Sequence, residues 1–132
     1  MSSSAHFLTA LVDGPASAYQ IRIDGSGEVL ARFLDGAFDS ASRNKGLLGR
    51  TGMATDQALV IAPCTAVHTF WMKFRIDLVY AARDGRVLKI RRRVGPWRMS
   101  AAFGAFAVIE LAAGRAELVG LKKGDRLVIA PV

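Results

Sequence analysis

The chain has little cysteine and no long hydrophobic run. Cys64 is the only cysteine among 132 residues, so no intrachain disulfide can form and a secreted disulfide scaffold is excluded. No run approaches the ~20 apolar residues that a membrane-spanning helix needs. The apolar stretch 7–12 follows no Lys or Arg and ends at Asp13, so it does not have the pattern of a signal peptide. As written, the sequence predicts a cytoplasmic protein; a periplasmic or envelope-associated one is expected if Met1–Ser4 replaces a native leader.

Internal repeats of 20 to 50 residues are also absent, which excludes a solenoid. Hydrophobic residues make up 52% of the chain and charged residues 22%, which is too apolar for a mainly disordered protein. The length fits one domain. We therefore predict a flexible N-terminal segment over residues 1–18 and a single β domain over residues 19–132.

Acidic residues are scarce in the middle of the chain. From Arg43 to Arg98 there are twelve Lys or Arg residues and three Asp, an excess of +9, whereas the whole chain carries +7. Such a segment can attract nucleic acid, an acidic polymer or an anionic membrane surface, or it can form a solvated basic face. The charge alone does not choose between these partners.

Turn signals at short intervals separate apolar segments that mostly alternate as strands do. Asp84-Gly85 between two apolar runs is the clearest hairpin signal, and residues 24–27 give another. The predicted strands cover residues 19–24, 28–33, 58–62, 67–73, 76–82, 86–93, 105–111 and 126–130. The predicted helices cover residues 40–50, with Ser40 or Ser42 as N-cap, and residues 114–120.

This element pattern sets the fold class. Few residues remain for crossover helices, so most strands must pair antiparallel. We therefore predict a mainly β protein, an antiparallel β-sandwich or jelly-roll-like barrel of about eight strands with two short helices.

An ordered series of motifs extends over about residues 28–130. It comprises Gly46-Leu47-Leu48-Gly49-Arg50, Pro63-Cys64-x-x-Val67-His68-Thr69-Phe70-x-Met72-Lys73-Phe74-x-Ile76-Asp77, Asp84-Gly85-Arg86-Val87, Pro96-Trp97, Glu110-Leu111-x-x-Gly114 and Gly120-Leu121-x-x-Gly124-Asp125. The series resembles the domain of unknown function 192 family, in particular its branch with a Cys-x-x-Val-His-Thr-Phe signature. In that signature Trp71 stands where the branch usually has glycine, and Arg75 where the family usually has proline.

The resemblance implies a compact, mostly antiparallel sandwich of jelly-roll type and no established reaction. Relatives of this branch are often encoded near tight-adherence pilus genes. The resemblance therefore also implies a role linked to cell-envelope or pilus systems.

Four residues are candidates for chemistry: Cys64, His68, Asp77 and Glu110. In a strand, Cys64 and His68 would lie ~13 Å apart on one face, too far to share a proton or a metal unless the chain bends after Pro63. A zinc site also needs three or four ligands. We therefore predict no metal and no cofactor.

The two acidic candidates interrupt apolar strands. Asp77 and Glu110 are therefore expected to be buried, each with a partner. We hypothesise that Arg92 or His68 pairs with one of them. Such a pair would either fix strand register as a salt bridge or provide acid–base chemistry.

Strand parity sorts the remaining side chains. His68, Phe70 and Met72 are predicted on a core face, and Val67, Thr69, Trp71 and Lys73 on the opposite face, where an aromatic ring beside an ammonium suits anionic or sugar-like ligands. In and just after the predicted strand 86–93, Arg92 shares parity with Leu88, Ile90 and Val94. We therefore predict Arg92 in the interior and the other three cations, Lys89, Arg91 and Arg93, in an outward stripe.

These expectations lead to three functional hypotheses. The first is a non-catalytic binding or assembly accessory module for an anionic small molecule, a glycan or a protein, with a basic ligand surface of Trp71, Lys73, Arg75, Lys89, Arg91 and Arg93. The alternative is a small enzyme or small-molecule-binding protein with a pocket of His68, Asp77, Glu110 and Cys64. The third is weak nucleic-acid binding, which the lack of an aromatic ladder disfavours.

Overall fold

A computed structural model gives the structure of the chain and describes residues 5–132. The described residues form ten β-strands and three short α-helices. The strands are β1 (Tyr19–Ile23), β2 (Val29–Ala31), β3 (Phe33–Ala37), β4 (Gln57–Ile61), β5 (Ala66–His68), β6 (Ile76–Ala81), β7 (Val87–Val94), β8 (Met99–Ala101), β9 (Ala107–Ala112) and β10 (Leu127–Pro131). The helices are α1 (Thr9–Asp13), α2 (Ser40–Lys45) and α3 (Arg115–Leu118), with a 3₁₀ turn at Ala16–Ala18. The prediction of a mainly β protein is confirmed.

The strands form three sheets, in the orders β10-β1-β2, β3-β4-β9-β6-β7 and β5-β8. Every pair of neighbouring strands is antiparallel except β3 and β4, which are parallel. A parallel pair needs a crossover, and residues 38–56, which include α2, provide it. Within residues 5–132 the sheets do not close into a barrel, so the barrel version of the fold prediction is wrong.

The five-stranded sheet is buried on both faces. One face packs on the β10-β1-β2 sheet and on α1 through a core that includes Val60, Val79 and Ile109. Alternate residues of the same strands, such as Ile61 and Tyr80, form a second core with Leu47, Met72 and Ala105. All six residues of β6 and all six of β9 are therefore buried, as alternation in a doubly covered sheet requires.

The N-terminal segment contributes to the first core. Leu8, just before α1, is 0% exposed, and Leu11, within α1, is 2% exposed. Phe7 donates its backbone N–H to the carbonyl of Arg83. Phe7, Leu8 and Leu11 of the segment expected to be flexible therefore contact the first core. Met1–Ser4 lie outside the described residues. Within residues 5–132, no helix combines the length and the apolar character needed to cross a membrane.

Helix α2 begins and ends differently from the prediction. Its N-cap is Asp39, not Ser40 or Ser42, and the Asp39 carboxylate accepts a 2.8 Å hydrogen bond from the backbone N–H of Ser42. Gly46 follows the last turn with φ 49°, a conformation open to glycine. The helix therefore covers residues 40–45 and not 40–50.

Strand β7 carries the largest departure from simple alternation. Its register with β6 shifts at two places, one of them opposite residues 76–78, where Arg93 has φ 52°. Bulges of this kind add a residue and turn the following side chains to the other face. Arg92, which lies in this bulge, is exposed, so its predicted interior position is wrong.

Candidate functional site

A cavity of about 340 Å³ lies between α2 with its following turn, strand β5 and the central sheet. This volume is in the range of small-molecule sites in proteins. Helix α2 provides Arg43 and Lys45 to its wall, and the central sheet provides Ile61 and Glu110. We call this space the Glu110 cavity.

Glu110 carries the unusual electrostatics of the site. It lies in β9 between Leu59 of β4 and Leu78 of β6, and it is 5% exposed. Burial raises the pKa of its carboxyl group to about 7, an effect opposed by the charge of Arg50 and by no hydrogen bond. A side-chain carbon at Gly46 would lie 4.0 Å from its Oε1. The cavity thus contains a buried carboxyl group that no donor of the described chain satisfies.

Cations surround this carboxyl group without pairing with it. Arg43 donates a 2.9 Å hydrogen bond to the carbonyl of Phe38, and Arg50 forms a 3.2 Å ion pair with Asp35. Lys45 is exposed. The ion pairs among residues 5–132 do not include Glu110. The wall of the cavity is therefore positive while its buried acid lacks a partner.

Cys64 and His68 line the same cavity. The Cys64 thiol donates to the carbonyl of Ala66 at 3.1 Å, and burial raises its pKa, with a further contribution from Glu110. His68 is exposed, and its Nδ1 accepts a 3.2 Å hydrogen bond from the N–H of Phe70. The predicted core position of His68 is therefore wrong, because the strand ends at this residue.

Asp77, the fourth candidate, lies elsewhere and is fully buried. Its carboxylate accepts hydrogen bonds of 2.9 to 3.2 Å from the backbone N–H groups of Arg93, Gly114 and Ala116. It thereby holds the bulge of β7 and the first turn of α3. Asp77 and Glu110 are buried as predicted, but the predicted pairing with Arg92 or His68 is wrong. The Arg92 guanidinium donates to the carbonyl of Leu121 at 3.3 Å.

The segment after β5 turns sharply instead of continuing as the predicted strand 67–73. Thr69, predicted on the ligand face, is 2% exposed. Its hydroxyl donates to the carbonyl of Gly95 at 2.7 Å and accepts from the N–H of Arg98 at 2.9 Å. Two residues later Trp71 has φ 68° and is exposed, as is Lys73. Thr69 thus ties the two turns that carry the tryptophans.

We expect Thr69→Val to lower the free energy of unfolding by about 2 kcal/mol, because it leaves the carbonyl of Gly95 and the N–H of Arg98 without their partner. Urea denaturation followed by circular dichroism measures the change. Thr51→Val, at an exposed position, is the matched control. Equal stabilities of the two variants would contradict this role for Thr69.

The remaining cations of the predicted ligand surface have different environments. Lys89 is half-buried; its ammonium donates to the carbonyl of Ala101 at 2.7 Å and lies 5.8 Å from the Tyr80 ring centre. Arg75 donates to the carbonyl of Arg93 at 3.0 Å, and Arg93 lies 3.6 Å from Glu117. Arg91 is half-buried. Of the predicted stripe, Lys89 and Arg91 are thus half-buried and Arg93 is exposed.

Among residues 5–132 no three His, Cys, Asp or Glu side chains are placed to hold a metal ion.

The sequence of the chain matches one family model. That model, DUF192, is described as "Uncharacterized ACR" and matches residues 21–129. The chain belongs to the DUF192 family. None of the curated proteins compared with it matches.

Two crystal structures resemble this DUF192 chain. One, described as a "putative transcription regulator" from Sinorhizobium meliloti 1021, is 25% identical with a TM-score of 0.74; the match covers 86% of this chain and 96% of that one. The other is a protein of unknown function from Novosphingobium aromaticivorans DSM 12444, also 25% identical, with a TM-score of 0.72 and coverages of 86% and 89%.

Two residues of the site in this DUF192 protein, Arg43 and Lys45, are not among the predicted site residues. They belong to the predicted basic segment, but their position in the wall of the Glu110 cavity is not predicted from the sequence. The available signal was the motif Gly46-Leu47-Leu48-Gly49, since a glycine-rich turn after a helix permits a close approach to a neighbouring strand. The cavity brings together Cys64, His68 and Glu110 of the predicted pocket, but not Asp77.

Proposed function

We propose that this DUF192 protein is a non-catalytic binding module that takes a small organic anion in the Glu110 cavity. One observation carries the proposal: a nearly fully buried carboxyl group, without a donor from the described chain, borders a cavity of small-molecule size whose wall includes two cations. The carboxyl group borders the cavity, so a ligand there could supply the hydrogen-bond partner that the described chain does not.

The charges of the wall favour an anion. Arg43 and Lys45 are positive, while Glu110, with its pKa raised to about 7, is largely protonated in mildly acidic solution. A protonated carboxyl group donates one hydrogen bond. An organic carboxylate or phosphate ester could therefore accept from Glu110 and from the two cations at once, with the short, charge-assisted bonds that such groups form.

The chemistry of the cavity gives less support to an enzyme. A nucleophilic cysteine acts as a thiolate, but burial raises the pKa of Cys64 and its thiol donates to a backbone carbonyl. The Nδ1 of His68 is occupied by a backbone N–H. This arrangement lacks the activated nucleophile and the oriented base that covalent catalysis needs.

Calorimetric titration with a panel of small carboxylates and phosphate esters, and with their neutral amides, tests the proposal. We expect at least one anion to bind at pH 6, and Lys45→Ala and Arg43→Gln each to weaken it about tenfold through loss of a charge-assisted bond. Glu110→Gln should keep the affinity, since an amide also donates. Lys122→Ala removes an exposed cation outside the cavity and should change nothing.

Three results would overturn the proposal. The first is that no anion of the panel binds. The second is that Lys122→Ala weakens binding as much as Lys45→Ala does, which would indicate an unspecific charge effect. The third is loss of binding in Glu110→Gln, which would indicate a cationic group against an ionised Glu110.

The proposal extends to the cellular role and location of the protein. A binding module of this kind suits an accessory role in a cell-envelope or pilus system, and we retain that role, together with a sandwich of jelly-roll type, as hypotheses. If the protein has that role, we propose that it lies in the periplasm or at the cell envelope. Without that role, we propose a cytoplasmic location. A glycan or protein partner at Trp71, Lys73 and Arg75, and weak nucleic-acid binding, are the competing hypotheses.

A further inference from the structure

A second feature, beside the Glu110 cavity, is a row of exposed and half-buried aromatic side chains. The rings of His68 and Phe70 lie 4.8 Å apart, those of Phe70 and Trp97 5.6 Å, and those of Trp71 and Trp97 4.5 Å. Trp71 is 68% exposed and Trp97 53%. Together with Met99, which is 73% exposed, these four residues form what we call the aromatic surface.

The backbone presents both tryptophans at an energetic cost. Trp71 has φ 68° and Trp97 has φ 65°, in the left-handed region that bulky side chains rarely adopt. Strain of this kind costs of order 1–3 kcal/mol per residue and concentrates at functional positions. Glycine would relieve the strain at either site. Two exposed indoles held in strained turns therefore point to an external partner.

The β5-β8 ribbon extends the apolar surface. Its inner side includes the buried Ser100, whereas Ala66, His68, Met99 and Ala101 are exposed and line a shallow groove. Phe103, two residues after the end of β8, is fully exposed. Exposed apolar residues in such number mark a contact surface.

The charges around this surface are mostly positive, although Glu117 lies 3.6 Å from Arg93. Residues 62–76 and 85–109 contain no Asp or Glu, and they include eight cationic residues: Lys73, Arg75, Arg86, Lys89, Arg91, Arg92, Arg93 and Arg98. Lys73 and Arg98 are exposed and directly follow the two tryptophan turns. The partner is therefore expected to be anionic and to accept apolar side chains.

We propose that the aromatic surface binds the face of an anionic lipid bilayer, with Trp71 and Trp97 at the level of the headgroups. Tryptophan is enriched at that interface, and lysine and arginine add attraction to anionic lipids. The two indole planes meet at 64°, so the tryptophans do not form one flat platform for stacked bases or sugars. Exposed Met99 and Phe103 add apolar area that suits acyl chains.

Intrinsic fluorescence tests the proposal directly, because Trp71 and Trp97 are the only tryptophans in the chain. Vesicles of phosphatidylcholine with phosphatidylglycerol should shift the emission to shorter wavelength, and brominated acyl chains should quench it. Vesicles of phosphatidylcholine alone should leave it unchanged. High salt should reverse the shift, since screening weakens attraction between exposed charges and lipids.

Trp71→Gly is the decisive variant, because it removes an indole while relieving backbone strain and should stay folded. We expect it to co-sediment with anionic vesicles at least about tenfold more weakly. Phe33→Ala, which removes an exposed aromatic ring from β3, should bind as the unaltered chain does. Lys45→Ala should also bind vesicles normally, which separates this inference from the anion proposal.

Three outcomes would overturn membrane binding. One is unchanged tryptophan emission with anionic vesicles. Another is equal loss of vesicle binding in Trp71→Gly and Phe33→Ala. The third is quenching by a single-stranded oligonucleotide in the absence of any vesicle effect, which would assign the surface to nucleic acid.

Discussion

Asp77→Ala is expected to lower the free energy of unfolding by about 4 kcal/mol, a large part of the stability of a typical domain. Asp77 is fully buried and accepts hydrogen bonds from three backbone N–H groups, those of Arg93, Gly114 and Ala116. Alanine leaves all three donors without a partner, and each unsatisfied donor costs about 1–3 kcal/mol. Urea denaturation measures the change.

Two further variants separate this role from a general effect of losing an acid. Asp77→Asn keeps one acceptor oxygen but presents an amide donor to the remaining N–H groups, so an intermediate loss of stability is expected. Asp24→Ala, at an exposed turn position, should have little effect. If Asp77→Ala were as stable as Asp24→Ala, the backbone N–H groups would have to find other partners, and Asp77 would not hold β7 and α3 together.

Much of the fold could be predicted because local signals and global packing agree. The Asp84-Gly85 turn joins β6 to β7, and Gly85 has φ 89°, as the hairpin signal requires. Apolar residues of both parities in 105–111 are typical of a strand buried on both faces, and every residue of β9 is buried. Strand β3 was missed because Asp35 and Gly36 interrupt its apolar pattern, and β8 because three residues give too little periodicity.

The wrong predictions at the site assumed that side chains alternate along an unbroken strand. Parity holds only while a strand continues, and the strand that begins at Ala66 ends at His68. The turn at Trp71 needs a left-handed residue, for which tryptophan gives no sequence signal, since glycine or asparagine would be expected. The bulge of β7 depends on Asp77, which lies 16 residues away in the chain. Burial of Glu110, in contrast, could be predicted from its apolar neighbours alone.

Glu110 should make the protein less stable as the pH rises. Its carboxyl group has an ordinary pKa of 4.5, and burial raises this to about 7 in the folded chain. Between these values the unfolded chain releases a proton that the folded chain retains. The contribution of Glu110 to stability is therefore complete below pH 4.5 and is lost as the pH rises through 7. The linked loss is about 3 kcal/mol.

Glu110→Gln isolates this effect, because the amide is nearly isosteric with the protonated acid and does not titrate. We expect the variant to match the native chain near pH 4.5 and to exceed its free energy of unfolding by about 3 kcal/mol at pH 9. Urea titrations across this range measure the difference, and Glu28→Gln at an exposed position should show none. A constant difference in the free energy of unfolding between Glu110→Gln and the native chain at all pH values would contradict the raised pKa.

A bound anion that accepts a hydrogen bond from protonated Glu110 favours the protonated form in the folded chain. It should therefore move the pH dependence of the native chain's stability toward that of the Gln variant.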